Sequence, residues 1–342
     1  MSEICFQRMC PCRCTLKPIQ RSLSLRRNYR PGKRAREVPA EPLLTPKLYD
    51  ASPRTIEDFI TPSRIALLEQ TLSPYLPEFA PPTKPLSSLS SPSLSPGYHF
   101  VFFPTSTSEK DTLADGYEKH FAPVHPYARR LWVSGRLKFS GSGLAIGEPA
   151  TCEEDLFATR VEKDRWTTIT IRRRMFTPEF LDTDYVEEER TLRYLRDVSM
   201  RNNPVKVLDK QDMKRNWKDE KLLVDHTFTP TRILLTRFSF LTYNFHRIHL
   251  DKEYAHNVEE WPDLLVHGNL SIVLALTTIR KYYESKGKDL QIQNARYMML
   301  RPLFVDQRIR ITITNVAKTR KRVILWSKEG KAVEVIIGHQ HI

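Results

Sequence analysis

The sequence predicts an α+β fold made of two related units, in which each unit is a long antiparallel sheet wrapped around a central helix and the first unit is degenerate. Segments with strand character form two blocks, separated by a polar and basic stretch at 201–219. The second block contains one long apolar helix pattern, whereas the first has a Pro/Ser-rich stretch in the corresponding place. A helix packed across the apolar face of a sheet is the usual way to bury that face, so each block is expected to form one unit.

The length and composition are those of a globular chain. Its 342 residues, of which 40% are hydrophobic and 27% charged, are enough for two domains and exclude a collagen or coiled-coil structure. The longest apolar stretch, 264–279, contains His267, Asn269 and Ser271 and falls short of the roughly 18 uncharged apolar residues of a membrane span. No membrane span is therefore expected.

Residues 1–40 are predicted to be a mitochondrial transit peptide, which would place the mature protein in the matrix. They contain ten Lys or Arg and two acidic residues, and so contribute +8 to the net charge of +14. An Arg-rich, acid-poor terminus with interspersed Ser and Leu is typical of such peptides. The alternative is a basic arm that binds nucleic acid or an anionic membrane. Because residues 41–342 carry only +6, a nucleic-acid partner is not expected.

The cysteines do not predict a disulfide framework. Four of the five lie in the same terminal segment, as Cys5, Cys10, Cys12 and Cys14, and no second Cys/His cluster of matching spacing follows to complete a zinc site. Only Cys152 would remain after processing, which fits a reducing compartment.

The first unit is predicted to span residues 50–200. A short helix pattern at 56–72 is followed by the Pro/Ser-rich segment 73–97, in which 14 of 25 residues are Pro or Ser, so that no regular element is expected there. β-branched and aromatic residues in period-two alternation then predict strands at 129–139, 165–176 and 186–195.

The second unit is predicted to span residues 220–342, after a linker at 201–219. The same strand signals occur at 231–240, 294–304, 307–316 and 331–338. Between them, residues 269–287 form one long helix pattern that ends at Gly287. Its apolar residues are spread nearly all round the helix, which indicates a buried helix.

Histidine is concentrated in the second unit, where His246, His249, His256 and His267 lie within 22 residues. Imidazole titrates near neutral pH and can move protons, and the free amides at a helix start can stabilise an oxyanion. Proton transfer is expected for His249. Structural hydrogen bonding is expected for His246 and His256, and His267 is expected to hold the start of the long helix in this way. No HExxH spacing is present, and no metal is expected.

Several blocks of the sequence resemble one known family. TYNFHRIHLD followed by WPDLLVHG resembles the second hotdog domain of MaoC-like (R)-specific hydratases and dehydratases, in particular 3-hydroxyacyl-thioester dehydratase type 2 and mesaconyl-CoA hydratases. RTIEDFITPSRIALLEQTL, HPYARRLWVSGRLKFSGSGLAIGE, YVEEERTLRYL and ARYMMLRPLFVDQ resemble successive blocks of that subfamily in the same order. The resemblance covers residues 54–338 and implies a double hotdog with the catalytic site in the second hotdog.

The resemblance also assigns the motif residues. The motif of the wider family is Asp-x-Asn-Pro-Leu-His-x-Asp, in which x stands for any residue. His249 matches the His and Asp251 the last Asp, whereas Asn244 stands in place of the catalytic Asp and His246 in place of the Asn. Asn cannot carry a proton as a carboxylic acid can, but the dehydratase subgroup shares this Asn and the NxHRIH spacing. The sequence leaves open which of Asn244, His246 and His249 acts as the general acid and which as the general base.

The resemblance implies reversible dehydration of (R)-3-hydroxyacyl thioesters to trans-2-enoyl thioesters in mitochondrial type II fatty acid synthesis, without a cofactor. His249 is expected to transfer the proton, Asn244 to orient the hydroxyl or water, and the Gly268 amide to hold the thioester oxygen. His246, Asp251 and His267 are expected to support them.

The substrate is expected to be an acyl thioester of acyl carrier protein or CoA. Arg247, Arg280, Lys281 and Arg301 are the candidate contacts for the carrier phosphate or for docking of an acidic carrier protein. The first unit has no NxHRxH motif, so one active site is expected per chain, with vacated space in that unit for a long acyl chain. A monomer or a homodimer is expected.

Two alternatives remain open from the sequence. One is a short-chain hydratase of the mesaconyl-CoA type. The other belongs to a different class: a non-catalytic, basic mitochondrial protein that binds nucleic acid or the ribosome, as the net charge of +14 suggests.

Overall fold

The computed structural model describes residues 46–79, 93–124, 126–162, 166–177, 185–196 and 220–341. The chain separates into two compact parts, Met1–Pro42 and Leu43–Ile342. All described residues, including those of both α+β units, belong to the second part. The predicted transit peptide at 1–40, its four cysteines and the linker at 201–219 therefore lie outside the described residues.

The described residues form ten strands and four α-helices. The strands are β1 Arg54–Phe59, β2 Tyr127–Phe139, β3 Pro149–Glu162, β4 Trp166–Phe176, β5 Val186–Arg196, β6 Leu222–Phe228, β7 Leu290–Met299, β8 Ile309–Ala317, β9 Arg320–Ser327 and β10 Gly330–His341. The helices are α1 Pro62–Leu72, α2 Arg232–Thr242, α3 Lys252–Asn257 and α4 Gly268–Glu284.

All ten strands pair in one antiparallel sheet, in the order β1-β3-β4-β5-β2-β7-β10-β9-β8-β6. Strands β1–β5 occupy one half in the order 1-3-4-5-2, and strands β6–β10 repeat that order from the opposite edge as 6-8-9-10-7. The equivalent strands β2 and β7 pair at the centre, from Ser134 opposite Met298 to Lys138 opposite Asn294. The repeated order confirms the two related α+β units and shows that their sheets join into one.

A glycine makes the close approach at this central pairing feasible. A Cβ atom at Gly135 would lie 2.1 Å from the Tyr297 hydroxyl oxygen, so any side chain there would displace the tyrosine. Tyr297 is 1% exposed, and its hydroxyl accepts a hydrogen bond from Trp132 Nε1 at 3.1 Å. The side chains of the two units are therefore tied together where their strands meet.

Helix α4 is the central helix of the second unit, as the apolar pattern at 269–287 predicts. Almost every side chain from Asn269 to Ile279 is buried, and the helix packs on β7, β9 and β10. Two of its buried hydroxyl groups donate hydrogen bonds to backbone carbonyl groups one turn earlier. Thr278 Oγ1 donates to Leu274 O at 2.7 Å, and Ser271 Oγ donates to His267 O at 3.2 Å. Polar residues are tolerated in this apolar helix because the preceding turn accepts their hydrogen bonds.

The first unit has no such helix among its described residues. In the corresponding place, Tyr98–Val101 forms a 3₁₀ turn, and every residue from Tyr98 to Phe103 is at most 5% exposed. Gly97, directly before this turn, packs against α4. Its φ is +93°, and a Cβ atom would lie 2.9 Å from Leu276 Cδ1. The degenerate first unit is confirmed, and six buried side chains lie in the region where the sequence predicts vacated space.

Most of the predicted strands are confirmed, and the exceptions have physical causes. Residues 231–240 were expected to be a strand but form α2, which buries Leu234, Leu235 and Phe238 on one face and is capped by Thr231, whose side chain accepts from Leu234 N at 3.2 Å. The cap and this spacing outweigh the β-branched and aromatic composition.

Two predicted elements have different bounds. The helix pattern at 56–72 is partly strand, because residues up to Phe59 alternate in burial as β1, and α1 begins only at Pro62, a favoured first helical residue. The strand expected at 294–304 ends at Met299. Strands β3, β6 and β9 are not among the strands predicted from the sequence.

Candidate active site

A cavity of about 330 Å³ lies between the two units. The first unit contributes Tyr117, Arg130, Leu131, Trp132 and Leu192 to its lining. The second unit contributes apolar side chains and five residues that the sequence selects, namely Asn244, His246, His249, Gly268 and Arg301. The structure thus brings the expected proton-transfer, orienting and amide groups to one place.

The turn that follows α2 presents the motif to the cavity. Helix α2 ends at Tyr243, which adopts the left-handed conformation with φ 51°. The Asn244 side-chain oxygen then accepts the His246 N–H at 3.1 Å, an Asx turn that reverses the chain. After it, Arg247–His249 form a 3₁₀ turn. The rings of His246 and His249, 5.5 Å apart between centroids, both line the cavity as a result.

His249 is held in one tautomer by the backbone. Its Nδ1 lies 2.9 Å from the Leu265 carbonyl oxygen, which can only accept, so Nδ1 carries the proton and Nε2 keeps its lone pair. Burial lowers the pKa of His249 to about 4. The ring is therefore neutral at pH 7, and Nε2 can accept a proton from a bound molecule.

His267 supports His249 from the side. The two imidazole rings are stacked with centroids 3.7 Å apart, and His267 Nε2 lies 2.8 Å from the Ser239 hydroxyl on α2. His267 occupies the N-cap position of α4, but its side chain makes no capping hydrogen bond. Its hydrogen bond to Ser239 thus ties the start of α4 to α2 without capping the helix, and its ring packs on that of His249.

The N-terminus of α4 brings backbone donors to the cavity. Gly268 and Asn269, the first two residues of the helix, line it, and their N–H groups have no intrahelical acceptor. A Cβ atom at Gly268 would touch Trp132 of the first unit at 3.4 Å. These amides, at the positive end of the helix dipole, can stabilise a negatively charged oxygen.

Three polar residues of the first unit border the motif and were not selected from the sequence. Asp115 Oδ2 lies 3.3 Å from His246 Nε2 and 3.5 Å from Arg130 Nη2. The Arg130 guanidinium carbon lies 3.4 Å from the centre of the Tyr117 ring. The only signal for this segment is the Asp115-Gly116 pair, which indicates a turn and no chemistry.

Asp251, Arg247 and His256 do not line the cavity. Asp251 caps α3 by accepting from Tyr254 N at 3.0 Å, and forms an ion pair with Arg247 at 2.8 Å on the surface. His256 Nδ1 lies 3.2 Å from the Trp261 carbonyl oxygen. The expected structural role of His256 fits this contact, while Asp251 supports the motif as a helix cap.

Of the four candidate carrier contacts, only Arg301 lies at the cavity, where its Nη1 donates to Lys331 O at 2.7 Å. Arg280 and Lys281 pair with Glu284 at 2.7 and 3.1 Å. They lie about 18 Å along the α4 axis from Gly268 at 1.5 Å per residue. Arg280 also donates to the Tyr98 hydroxyl at 2.8 Å, so it ties α4 to the first unit.

Three further observations concern the described residues. Within the described ranges, no group of three or more His, Cys, Asp or Glu side chains is arranged to hold a metal ion. No helix in the described part of the chain has the length and apolar character to cross a membrane. Cys152 is buried, and burial raises the pKa of its thiol to about 12, so it is unreactive at neutral pH.

The buried histidines predict a loss of stability in mild acid. Burial lowers the pKa of His249 from 6.5 to about 4 and that of His99 to about 3, and lowers those of His246 and His267 well below 6.5. Below pH 6.5 the unfolded chain binds protons that the folded chain does not. The free energy of unfolding should therefore fall between pH 6.5 and pH 4, with His249 alone contributing about 3 kcal/mol.

Urea unfolding at a series of pH values from 7.5 to 4.5 measures this dependence. In the His249→Asn variant the slope should become shallower by the contribution of one buried imidazole. Burial raises the pKa of Glu259 to about 7, which acts in the opposite direction for one group against four histidines. A free energy of unfolding that stays constant over this range would contradict the prediction.

Similar solved structures define the fold class of the protein. The fold is similar to that of a MaoC-like dehydratase, with a TM-score of 0.60 and 14% identity over 86% of this chain and 98% of that one. It is also similar to a double-hotdog protein from Mycobacterium tuberculosis, with a TM-score of 0.53 and 11% identity over 86% and 97% of the two chains. The chain is thus a double-hotdog protein with the MaoC-like fold.

The family follows from the sequence matches. Residues 97–305, more than half of the chain, match the family model of hydroxyacyl-thioester dehydratase type 2. The chain belongs to this family and is a hydro-lyase. A mitochondrial hydroxyacyl-thioester dehydratase type 2 from Schizosaccharomyces pombe is 28% identical over 76% of this chain and 89% of its own length. A mesaconyl-C(4)-CoA hydratase from Chloroflexus aurantiacus is 30% identical over 55% and 65%.

Proposed function

We propose that the protein dehydrates (R)-3-hydroxyacyl thioesters to trans-2-enoyl thioesters, and hydrates them in reverse, in mitochondrial type II fatty acid synthesis. The observation that carries the proposal is the arrangement of His249 and α4. A neutral imidazole with its Nε2 lone pair lines the same cavity as the free amides of a helix N-terminus. Removal of a proton next to a thioester carbonyl needs both groups.

The first step creates the enolate. His249 Nε2 takes the proton from the α-carbon, and the electron pair of the broken C–H bond moves to give a negatively charged thioester oxygen. The Gly268 N–H donates to that oxygen at the positive end of the α4 dipole. The stacked His267 and the hydrogen bond to Leu265 O keep the His249 ring in place.

The second step expels water. The His249 imidazolium returns its proton to the β-hydroxyl oxygen, the C–O bond breaks, and the enolate electrons form the C=C bond. Asn244 orients the hydroxyl beside the imidazole. All protons and electron pairs come from the substrate and His249, so the step balances without a cofactor.

The carrier is proposed to be acyl carrier protein or CoA, with its phosphate near Arg301. Arg301 is the one candidate carrier contact that lines the cavity. Arg280 and Lys281 do not line the cavity, and both pair with Glu284. A mitochondrial location is proposed from the basic terminus at 1–40 and from the relative of Schizosaccharomyces pombe, whose name includes that location.

A second candidate function, short-chain hydration of the mesaconyl-CoA type, has one structural observation in its favour. Tyr98–Phe103 are buried in the region of the first unit where the sequence predicts space for a long acyl chain. The Chloroflexus aurantiacus relative is a hydratase of this kind by name. The two functions differ in acyl-chain length rather than in the proton-transfer chemistry.

Hydration of crotonyl-CoA by the purified protein, followed by the loss of the enoyl-thioester absorbance, tests the proposed reaction. The wild type is expected to hydrate crotonyl-CoA and octenoyl-CoA at similar rates if it serves fatty acid synthesis. Hydration of mesaconyl-CoA but not octenoyl-CoA would favour the second candidate. No hydration of any of the three thioesters would contradict both.

A further inference from the structure

A loop of the first unit, residues 112–118, contacts the catalytic motif and is closed by a β-bridge between Thr112 and Glu118. The Arg247 N–H donates to Asp115 O at 2.8 Å. At Gly116 the φ is +82°, and a Cβ atom would lie 2.5 Å from the Phe245 carbonyl oxygen. Only glycine allows this approach, so the loop is built to lie against residues 245–247.

This approach buries a carboxylate beside His246. Asp115 is 4% exposed, and its Oδ1 accepts the Tyr117 N–H at 3.0 Å. Its Oδ2 lies 3.3 Å from His246 Nε2 and 3.5 Å from Arg130 Nη2. A buried carboxylate is costly unless positive charge and hydrogen-bond donors surround it, and Arg130 provides the charge. The His246 Nε2 atom lies within ion-pair distance of Oδ2 but makes no hydrogen bond with a described residue.

The position of the carboxylate selects between the two forms of neutral His246. With the proton on Nε2, a polarised N–H lies beside the carboxylate, which is attractive. With the proton on Nδ1, the Nε2 lone pair would face a negatively charged oxygen 3.3 Å away, which is repulsive. Contacts of this kind are often long in unliganded active sites and shorten when substrate binds.

We propose that Asp115 is a positioning residue that holds His246 as the Nε2–H tautomer, so that the His246 Nδ1 lone pair accepts the β-hydroxyl hydrogen of the substrate. This inference rests on the proposed function. While His249 protonates the hydroxyl oxygen, His246 fixes the direction of the hydroxyl hydrogen. The carboxylate that is absent at Asn244 is replaced by one from the first unit, which lacks the motif yet completes the site.

The tautomer can be measured without any substrate. ¹⁵N NMR of protein labelled at histidine distinguishes a protonated from an unprotonated ring nitrogen, and the His246→Asn variant assigns the signals. The wild type is expected to show His246 with a protonated Nε2 and an unprotonated Nδ1. A protonated Nδ1 in the wild type would overturn the inference, and this outcome does not depend on folding of any Asp115 variant.

Kinetics test the consequence for turnover. Asp115→Asn keeps the shape of the side chain and removes its charge. It is expected to lower kcat at least about tenfold, a part of the roughly 100- to 10,000-fold that proton-transfer assistance contributes, with KM changed less than about threefold. In the same variant the His246 signals should shift to a mixture of tautomers.

Glu118→Gln is the matched control. Glu118 lies in the same loop and is 9% exposed, but it pairs with Arg54 at 2.6 Å instead of contacting His246. This variant should keep the wild-type kcat and His246 tautomer. Equal losses of kcat in both variants, or a wild-type kcat in Asp115→Asn, would overturn the inference. An inactive wild type would contradict the proposed function alone, because the tautomer measurement still decides the role of Asp115.

Discussion

His249→Asn is expected to lower kcat for enoyl-thioester hydration at least about 100-fold, with little change in KM. General acid-base assistance contributes roughly 100- to 10,000-fold, and the carboxamide of Asn cannot exchange a proton near pH 7. Asn can still donate from its side chain toward Leu265 O, which His249 Nδ1 contacts at 2.9 Å. Steady-state kinetics with crotonyl-CoA measure the effect.

Asn is a better replacement than Ala at this position. The His249 ring is 7% exposed and stacks on His267, so truncation would remove packing as well as the proton-transfer group. His256→Asn is the matched control, because the same substitution is made in a histidine outside the cavity, and it should keep wild-type turnover. A folded His249→Asn protein with the wild-type rate would show that another group moves the proton.

The sequence predicts those residues of the site that lie close together along the chain. Asn244, His246 and His249 lie on one Asx turn and one 3₁₀ turn, so their spacing alone brings them together. Gly268 is predictable for a similar reason. The buried helix that follows it is apolar on all sides, and its start must therefore lie in the interior of the second unit.

The part that the sequence does not predict depends on contacts between the units. Asp115 precedes His246 by more than a hundred residues, and its role follows from the bend at Gly116 rather than from any motif. Arg280 is the opposite case, a residue that the sequence selects but that does not line the cavity. In sequence it belongs to a basic cluster at the end of a helix, but packing directs its guanidinium to the Tyr98 hydroxyl. Charge patterns do not distinguish a solvated cluster from a buried one.

The first unit also contains a buried network of charges that no local pattern reveals. Glu188 on β5 is fully buried and accepts two hydrogen bonds from Arg190, at 2.7 and 2.8 Å. It also pairs with Arg173 on β4 at 3.3 Å, and Arg173 in turn pairs with Glu154 on β3 at 2.5 Å. Three neighbouring strands are therefore joined by alternating charges inside the half of the sheet whose described residues include no central helix.

The second large effect is expected for stability, in Glu188→Gln. Burial acts to raise the pKa of Glu188, but Arg190 and Arg173 outweigh it and hold the pKa at about 2, so the group is ionised at neutral pH. Removing its charge leaves two guanidinium groups close together in the interior. The free energy of unfolding should fall by about 3 to 5 kcal/mol, the usual cost of removing one partner from a buried ion pair.

Glu187→Gln on the same strand is the control, since Glu187 pairs with the exposed Lys138 on the surface. Such pairs contribute about 0 to 1 kcal/mol, so urea unfolding should separate the two variants clearly. Equal small effects would mean that water or rearranged side chains compensate for the lost charge of Glu188. A large effect in Glu188→Gln alone would establish that ion pairs between β3, β4 and β5 stabilise the half of the sheet that carries the 112–118 loop.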